Sequence, residues 1–442
     1  MKAVIMAGGK GTRISNLFPD VPKPLIVIGG KPVLQREIEN LASQGITDII
    51  LTVSHKGDQI REALGDGSRF GVRLRYFEEK TPMGNTGALF KMREELTETF
   101  LLLTADNVFD VDFQRMIRFH EAHRALITIL ARPTSHPYDC GLLETDIDGS
   151  VSAWYVKEDT KPEFYKNQVN SGIHLIEPEV LDRVGVDAAR VGTVDSHTGE
   201  YCRVDLDRQL LRPFCGTHQM FCYPSAEYCR DMGTPERYLS VCRDFATGVF
   251  DAQRRARRKK CVFLSADLLV SQDRNGVLSL MPGAAQSLRR INRSAFYAAA
   301  ILPHRLLGRE SRSVAGRERR HRQIETLLGD KGAYLNRIYD EDVEIGFLRE
   351  AQTLLHHADQ TWLLRRAERD LRLDLESSWL LATCDTCIRI GKKAGCRTAK
   401  IGWPLRGEED FSSLPEAVNA LLAEEEAAFA SSSYSLPAAG GF

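Results

Sequence analysis

An apolar run from Ala3 to Ala7 ends directly on Gly8, Gly9 and Gly11, and Arg13 follows. Glycines at the carboxyl end of a buried strand let backbone N–H groups close around a phosphate, because no Cβ atoms stand in the way. This is not a dinucleotide fingerprint, whose third glycine would fall at Ile14, and no Gly-Lys-Ser/Thr follows as a P-loop requires. Lys23 stands in Val-Pro-Lys-Pro-Leu, a segment that its two prolines are expected to hold extended. Two cations beside an anion cradle imply a polyphosphate.

A short apolar run, Phe100 to Thr104, delivers Asp106 to the carboxyl end of a second strand, where open α/β sheets place their ligands. A carboxylate there suits Mg²⁺, which keeps several waters and takes one or two carboxylates plus phosphate oxygens. Asp110 and Asp112 lie past that strand and are expected to cap the next helix. Far downstream, Asp231 precedes Met-Gly-Thr-Pro; on its own residues it reads either as a helix-entry Asp or as a second ligand.

The elements that must position these residues follow from periodicity. From Met1 to about His120, apolar strands alternate with amphipathic stretches such as Pro32–Gly45 and Lys56–Gly67. That alternation predicts a largely parallel sheet with helices on both faces, a three-layer α/β fold. Beyond it the pattern turns more antiparallel, so the sheet should be mixed. A helical stretch from about Thr234 to Phe250 leads into the basic run Asp251–Lys260, read as a solvated helix end and linker. A second, smaller α/β pattern runs from Cys261 to about Gly402, and the last segment is too poor in apolar residues to order itself. The expected division is residues 1–245, a basic linker at 246–260, a second domain at 261–405, and a helix with a disordered tail at 406–442.

Composition narrows the classes. A chain of 442 residues with 43% hydrophobic and 27% charged residues and a formal net charge of −1 reads as a soluble globular protein without bias toward nucleic acid or membrane surfaces. No window reaches the run of about 18 apolar residues that a spanning helix needs. The ten cysteines lack framework spacing, which fits a reducing, cytoplasmic setting. Cys384 and Cys387 form the only close pair, with no second pair at zinc spacing.

The ordered series MAGGKGTR, PKPL, GGKPVL, GDGSRFGV, TPMGNTGAL, TADNVFDVD, VNSGIHL and RDMGTPERY resembles the sugar-1-phosphate nucleotidyltransferases over about residues 1–245. Within them it is most similar to the D-glycero-D-manno-heptose 1-phosphate guanylyltransferases. The resemblance implies a Rossmann-like domain that joins a nucleoside triphosphate, most simply GTP, to a sugar 1-phosphate. It also implies that Gly8, Gly9, Gly11, Thr12 and Arg13 bind the nucleotide, that Lys23 meets its phosphates, and that Gly84 and Gly87 approach base and ribose. Asp106 and Asp231 would hold Mg²⁺; Gly141 and Asn170 would contact the sugar, and Lys157 its phosphate. Arg13, Lys23 and Lys157 are the residues expected to carry the chemistry. The resemblance implies a heptose as acceptor, or a longer sugar such as an octose; one departure, Val156-Lys157-Glu158 where the family commonly has Glu-Lys-Pro with its Glu on the sugar hydroxyls, leaves the identity of the sugar open.

Residues 261 to about 402 resemble the haloacid dehalogenase-type phosphatases, particularly heptose bisphosphate phosphatases. Their chemistry is missing. Ser265 stands where the nucleophilic Asp belongs and is too short and uncharged to replace it. Asp267, the partner acid, survives. The Thr-Asn of the second strand is replaced within AAAILPHR, the phosphate-binding Lys aligns with His357, and the acidic metal pair reads Ala382-Thr383 with Cys387. The expectation is a pseudophosphatase domain, a place for a subunit contact in a homo-oligomer. Set against this transferase reading are a bifunctional transferase and phosphatase, and a non-catalytic nucleotide-sugar sensor or scaffold.

Overall fold

Strand Lys2–Met6 sets the layers of the first unit. Successive side chains on a strand point to opposite faces. Ala3 and Ile5 join one core with Leu51, Leu101 and Leu103, whereas Val4 joins another with Ile50, Phe100 and Leu102. A strand buried on both faces must be covered on both, which gives three layers.

The computed structural model describes residues 1–9, 11–196, 198–274, 276–302, 313–340, 361–402 and 410–433. The chain divides into two units. The first comprises Met1–Arg132, Asp139–Thr160 and Gln168–Ala256; the second comprises Pro133–Tyr138, Lys161–Asn167 and Arg257–Phe442.

In the first unit Lys2–Met6 pairs in parallel with Asp48–Val53 and Phe100–Thr104, and Asp48–Val53 pairs in parallel with Arg73–Glu78. Val169–Ile176 then runs antiparallel to Phe100–Thr104 and to Ile127–Arg132, and Leu142–Thr145 pairs antiparallel with Val151–Tyr155. The sheet is therefore mixed, as the change of pattern implies. Helices Val33–Ala42 and Gly57–Leu64 turn Leu34, Ile38, Leu41, Ile60 and Leu64 into the core. Removing one such Leu side chain costs about 2–5 kcal/mol.

Three local expectations are corrected here. Asp112 caps helix Phe113–His123, accepting from Arg115 N at 3.1 Å, but Asp110 does not. Asp110 instead accepts from Asn40 Nδ2 at 2.8 Å and Arg255 Nε at 3.1 Å, so part of the basic run is an ion-paired anchor and not a solvated linker. The helix expected over 234–250 is two helices, Pro235–Ala246 and Val249–Ala252, broken at Gly248 with φ +72°.

The second unit holds a five-stranded parallel sheet in the order Arg337–Asp340, Tyr297–Leu302, Cys261–Ser265, Trp379–Ala382, Arg397–Lys400. Ser265 ends the central strand, buried, its Oγ without a hydrogen-bond partner among the described residues. Asp267 accepts from Thr383 Oγ1. His357 and the end of the AAAILPHR segment lie outside the described residues. Helix Leu414–Ser433 closes the described chain, and the tail beyond it also lies outside. No helix among the described residues is long and apolar enough to cross a membrane.

Candidate active site

The glycine loop leaves the sheet where strand Lys2–Met6 ends. Ala7 N still donates to Thr52 O at 2.9 Å, and Gly8 O then accepts from Ser54 Oγ at 2.6 Å. Gly11 has φ +62°, and a Cβ there would stand 3.3 Å from Lys23 Cβ. The left-handed backbone favours glycine, and a side chain there would fit only if Lys23 shifted by a few tenths of an ångström.

Lys23 arrives differently from the expectation. Pro22 is extended, but Lys23–Leu25 forms a 3₁₀ turn with Pro24 inside it. A proline φ near −65° suits the start of a helical turn as well as an extended strand, so the two prolines did not decide the matter. From this turn Lys23 Nζ reaches the carboxylate of Asp106 in an ion pair.

Asp106 lies between strand Phe100–Thr104 and the short strand Asn107–Phe109. The latter pairs antiparallel with Cys229–Asp231. Asp231 thereby comes beside Asp106, and both carboxylates keep 26% side-chain exposure. Burial alone would raise the Asp231 pKa; Arg237 at 2.9 Å, the Gly233 N–H at 3.1 Å and the charge of Arg132 outweigh it and hold the group below the usual carboxylate range.

These elements enclose a cleft of about 560 Å³ lined by Gly8, Gly9, Gly11, Thr12, Arg13, Lys23, Gly84 and Asp106. A cleft of this size matches a nucleotide-sized ligand. Gly84, φ +84°, is forced to be glycine: a Cβ would stand 2.2 Å from Val204 O. Gly87, by contrast, does not line the cleft. It is buried at the start of helix Gly87–Lys91, where a Cβ would meet Met83 Cβ at 2.6 Å and Val191 Cγ1 at 2.9 Å, so its smallness serves packing.

The cleft also contains residues the sequence did not flag, among them Glu79, Asn85 and Gly233. Glu79 follows strand Arg73–Glu78, the same strand-end position that singled out Asp106, and that rule applied once more would have found it. Burial pushes its pKa up to about 7, with Thr52 as a hydrogen-bond partner. Asn85 carried no local signal, because its partners are Leu206 N at 2.7 Å and Asp205 Oδ2 at 3.4 Å.

Asp231, Gly141, Lys157 and Asn170 are not on the cleft lining. Gly141 O accepts from Asn170 N at 3.2 Å, which brings these two together. Asn170 Oδ1 accepts from Gly172 N at 2.9 Å and from His174 Nε2 at 3.0 Å. His174 is fully buried, and burial lowers its pKa to about 4, so it is neutral at physiological pH and keeps one N–H to give. Lys157 is ion-paired with Asp139 at 2.5 Å and lies close enough to Arg13 to feel its charge.

A family model described as nucleotidyl transferase matches residues 2–248, more than half of the chain. This chain belongs to the nucleotidyl transferase family. Among its relatives, mannose-1-phosphate guanyltransferase beta-A of Xenopus laevis is 30% identical over 271 residues, 60% of this chain and 68% of that protein. Mannose-1-phosphate guanylyltransferase of Mycobacterium tuberculosis is 29% identical over 250 residues, 56% of this chain and 65% of that one. Among solved structures, HddC from Yersinia pseudotuberculosis is 25% identical with a TM-score of 0.45, covering 55% of this chain and 99% of its own. All three similarities fall short of the full chain, and the family match ends at residue 248.

For this nucleotidyl transferase the donor set fits Mg²⁺. Asp106 and Asp231 offer hard oxygen donors, and Gly233 keeps the tight space beside Asp231 clear of a side chain. A Cβ there would stand 3.1 Å from Lys23 Nζ, 3.3 Å from Asp231 Oδ1 and 3.5 Å from Arg13 Nη2. Two carboxylates with phosphate oxygens and water completing the shell is the usual arrangement for this ion. The exposed cluster Asp146, Asp148 and His218 is a different place, off the cleft lining; there Asp148 accepts from Ser150 N at 2.9 Å and pairs with His218 Nδ1 at 3.1 Å.

Proposed function

We propose that the chain transfers a guanylyl group from GTP to a sugar 1-phosphate, giving a GDP-sugar and pyrophosphate. The observation that carries this is the convergence of Gly8, Gly9, Gly11, Arg13, Lys23 and Asp106 on one cleft.

The chemistry needs little beyond charge neutralisation. A sugar 1-phosphate has its second pKa at about 6, so its oxygen attacks the α-phosphorus at neutral pH without a general base. A new P–O bond forms to the acceptor phosphate as the bond to the bridging oxygen of the pyrophosphate breaks. Backbone N–H groups of the glycine loop, with Arg13 and Lys23, hold the triphosphate and neutralise charge on the departing pyrophosphate. Asp106 and Asp231 would hold Mg²⁺, which supplies Lewis-acid stabilisation of phosphoryl oxygens. Lys157 holds the acceptor phosphate in line, with Asn170 and Gly141 meeting the sugar.

Glu79 supports guanine as the base. An ionised carboxylate accepts two hydrogen bonds side by side, and guanine offers two adjacent donors, N1–H and N2–H. For the acceptor, the likeness of the ordered motifs to heptose 1-phosphate guanylyltransferases favours a heptose or octose 1-phosphate, and Val156-Lys157-Glu158 marks where the sugar contacts depart from the usual pattern. In the second unit, Ser265 in place of a carboxylate nucleophile supports a phosphatase-type domain without phosphatase chemistry. Mass spectrometry of the product with GTP, Mg²⁺ and hexose, heptose and octose 1-phosphates tests the reading. A GDP-linked heptose or octose is expected; a different nucleoside diphosphate, or no adduct, overturns it.

A further inference from the structure

Lys157 is not held by the fold. Its side chain is 67% exposed, and its charge is met by Asp139 Oδ1 at 2.5 Å. Asp139 ends the 3₁₀ turn Pro137–Asp139, and its second oxygen lies 3.6 Å from Arg237 Nη2. Arg237 in turn donates to Asp231 Oδ1 at 2.9 Å. Cation and anion therefore alternate from Lys157 through Asp139 and Arg237 to Asp231.

An ion pair this exposed stabilises a fold little, since water screens it and two long side chains must be held still. Its position says more than its strength. A carboxylate set between two cations, beside the proposed phosphate-binding Lys157, shares the charge sign and acceptor character of a phosphate but carries one charge and two oxygens where the phosphate monoester carries nearly two charges and three. Arg13, on the cleft lining, adds a third cation near Lys157.

We propose that Asp139 is a positioning residue that stands in for the acceptor's phosphate. It holds Lys157 and Arg237 while the site is empty and is displaced when a dianionic phosphate arrives. The proposal rests on the transferase reading for the identity of the acceptor, but not for the competition itself. Asp139 thus weakens binding of the very group its cations attract, and so selects for a doubly charged phosphate over singly charged anions. A residue that merely braced Lys157 would do the reverse, because its loss would weaken phosphate binding.

The test is a titration of the full-length chain with inorganic phosphate at pH 8, followed by ³¹P NMR, for wild type, Asp139→Asn and Asp139→Ala. Both variants should bind phosphate about two- to fivefold tighter, the worth of one exposed charge pair. In a Lys157→Met background the gain from Asp139→Asn should shrink toward onefold. In turnover, KM for the sugar 1-phosphate should fall while KM for the nucleotide stays put. Equal or weaker phosphate binding in both variants, or an undiminished gain without Lys157, overturns the proposal. Absence of turnover in wild type would count against the transferase reading and leave the phosphate titration to decide Asp139.

Discussion

Asp231 stands opposite Asn107 in the antiparallel pairing of Cys229–Asp231 with Asn107–Phe109, and Met232 N donates to Asp106 O at 3.0 Å. Backbone pairing therefore brings the main chain of two acidic residues that are remote in sequence side by side. Asp106→Asn and Asp231→Asn should each lower kcat by about 10²–10³, the usual loss when one electrostatic contact to a reacting phosphate is removed. Mn²⁺ binding followed by electron paramagnetic resonance should weaken in parallel. Normal metal binding in both variants would remove these residues from the metal site.

Arg13 is exposed and Lys23 is tied to Asp106, so the two cations should separate on substitution. Arg13→Ala should cost about 3–4 kcal/mol of transition-state stabilisation and leave unfolding within about 0.5 kcal/mol of wild type. Lys23→Ala should lose turnover and also shift stability, since it leaves a partly buried Asp106 without its partner. Paired steady-state kinetics and denaturant unfolding check both.

Glu79 gives the nucleotide site a pH dependence. Its carboxyl is raised to about 7 by burial, so the carboxylate proposed to accept the donors of guanine grows in as pH rises through that value. KM for GTP should fall between pH 6 and 8. Glu79→Gln should flatten that profile and narrow the preference for GTP over ATP. A profile unchanged by the substitution would place the base elsewhere.

Glu37 offers a stability test. It is 1% exposed on helix Val33–Ala42, and burial, with the charge of Asp106 second, raises its pKa well above the ordinary 4.5. Above pH 4.5 the folded state keeps a proton that the unfolded chain has lost, so stability falls as pH rises toward the folded pKa. Glu37→Gln removes that slope. Its unfolding free energy relative to wild type should climb from pH 5 to 8, by at most about 1.4 kcal/mol per pH unit. The measurement is urea unfolding without added divalent cation, and a difference that does not vary with pH would contradict it.

What could be read from the chain depended on how local the cause was. Gly8, Gly11 and Asp106 each sit next to the strand that delivers them, so apolar runs and their ends located them. The three-layer mixed sheet was legible for the same reason. Partners chosen across the fold were not. Asp110 looks like a cap beside Asp112, yet Asn40 and Arg255 claim it. Gly87 resembles a ligand-facing glycine, yet Met83 and Val191 fill the space a Cβ would need. Asp139 and Arg237 show their relation to Lys157 only once the chain is folded.

The most direct test of the central claim is pyrophosphate release by the full-length chain with Mg²⁺, each nucleoside triphosphate in turn, and hexose, heptose and octose 1-phosphates. The account predicts release that requires both GTP and one long-chain sugar 1-phosphate and is nearly abolished by Arg13→Ala. Silence across the whole panel from folded protein would contradict it.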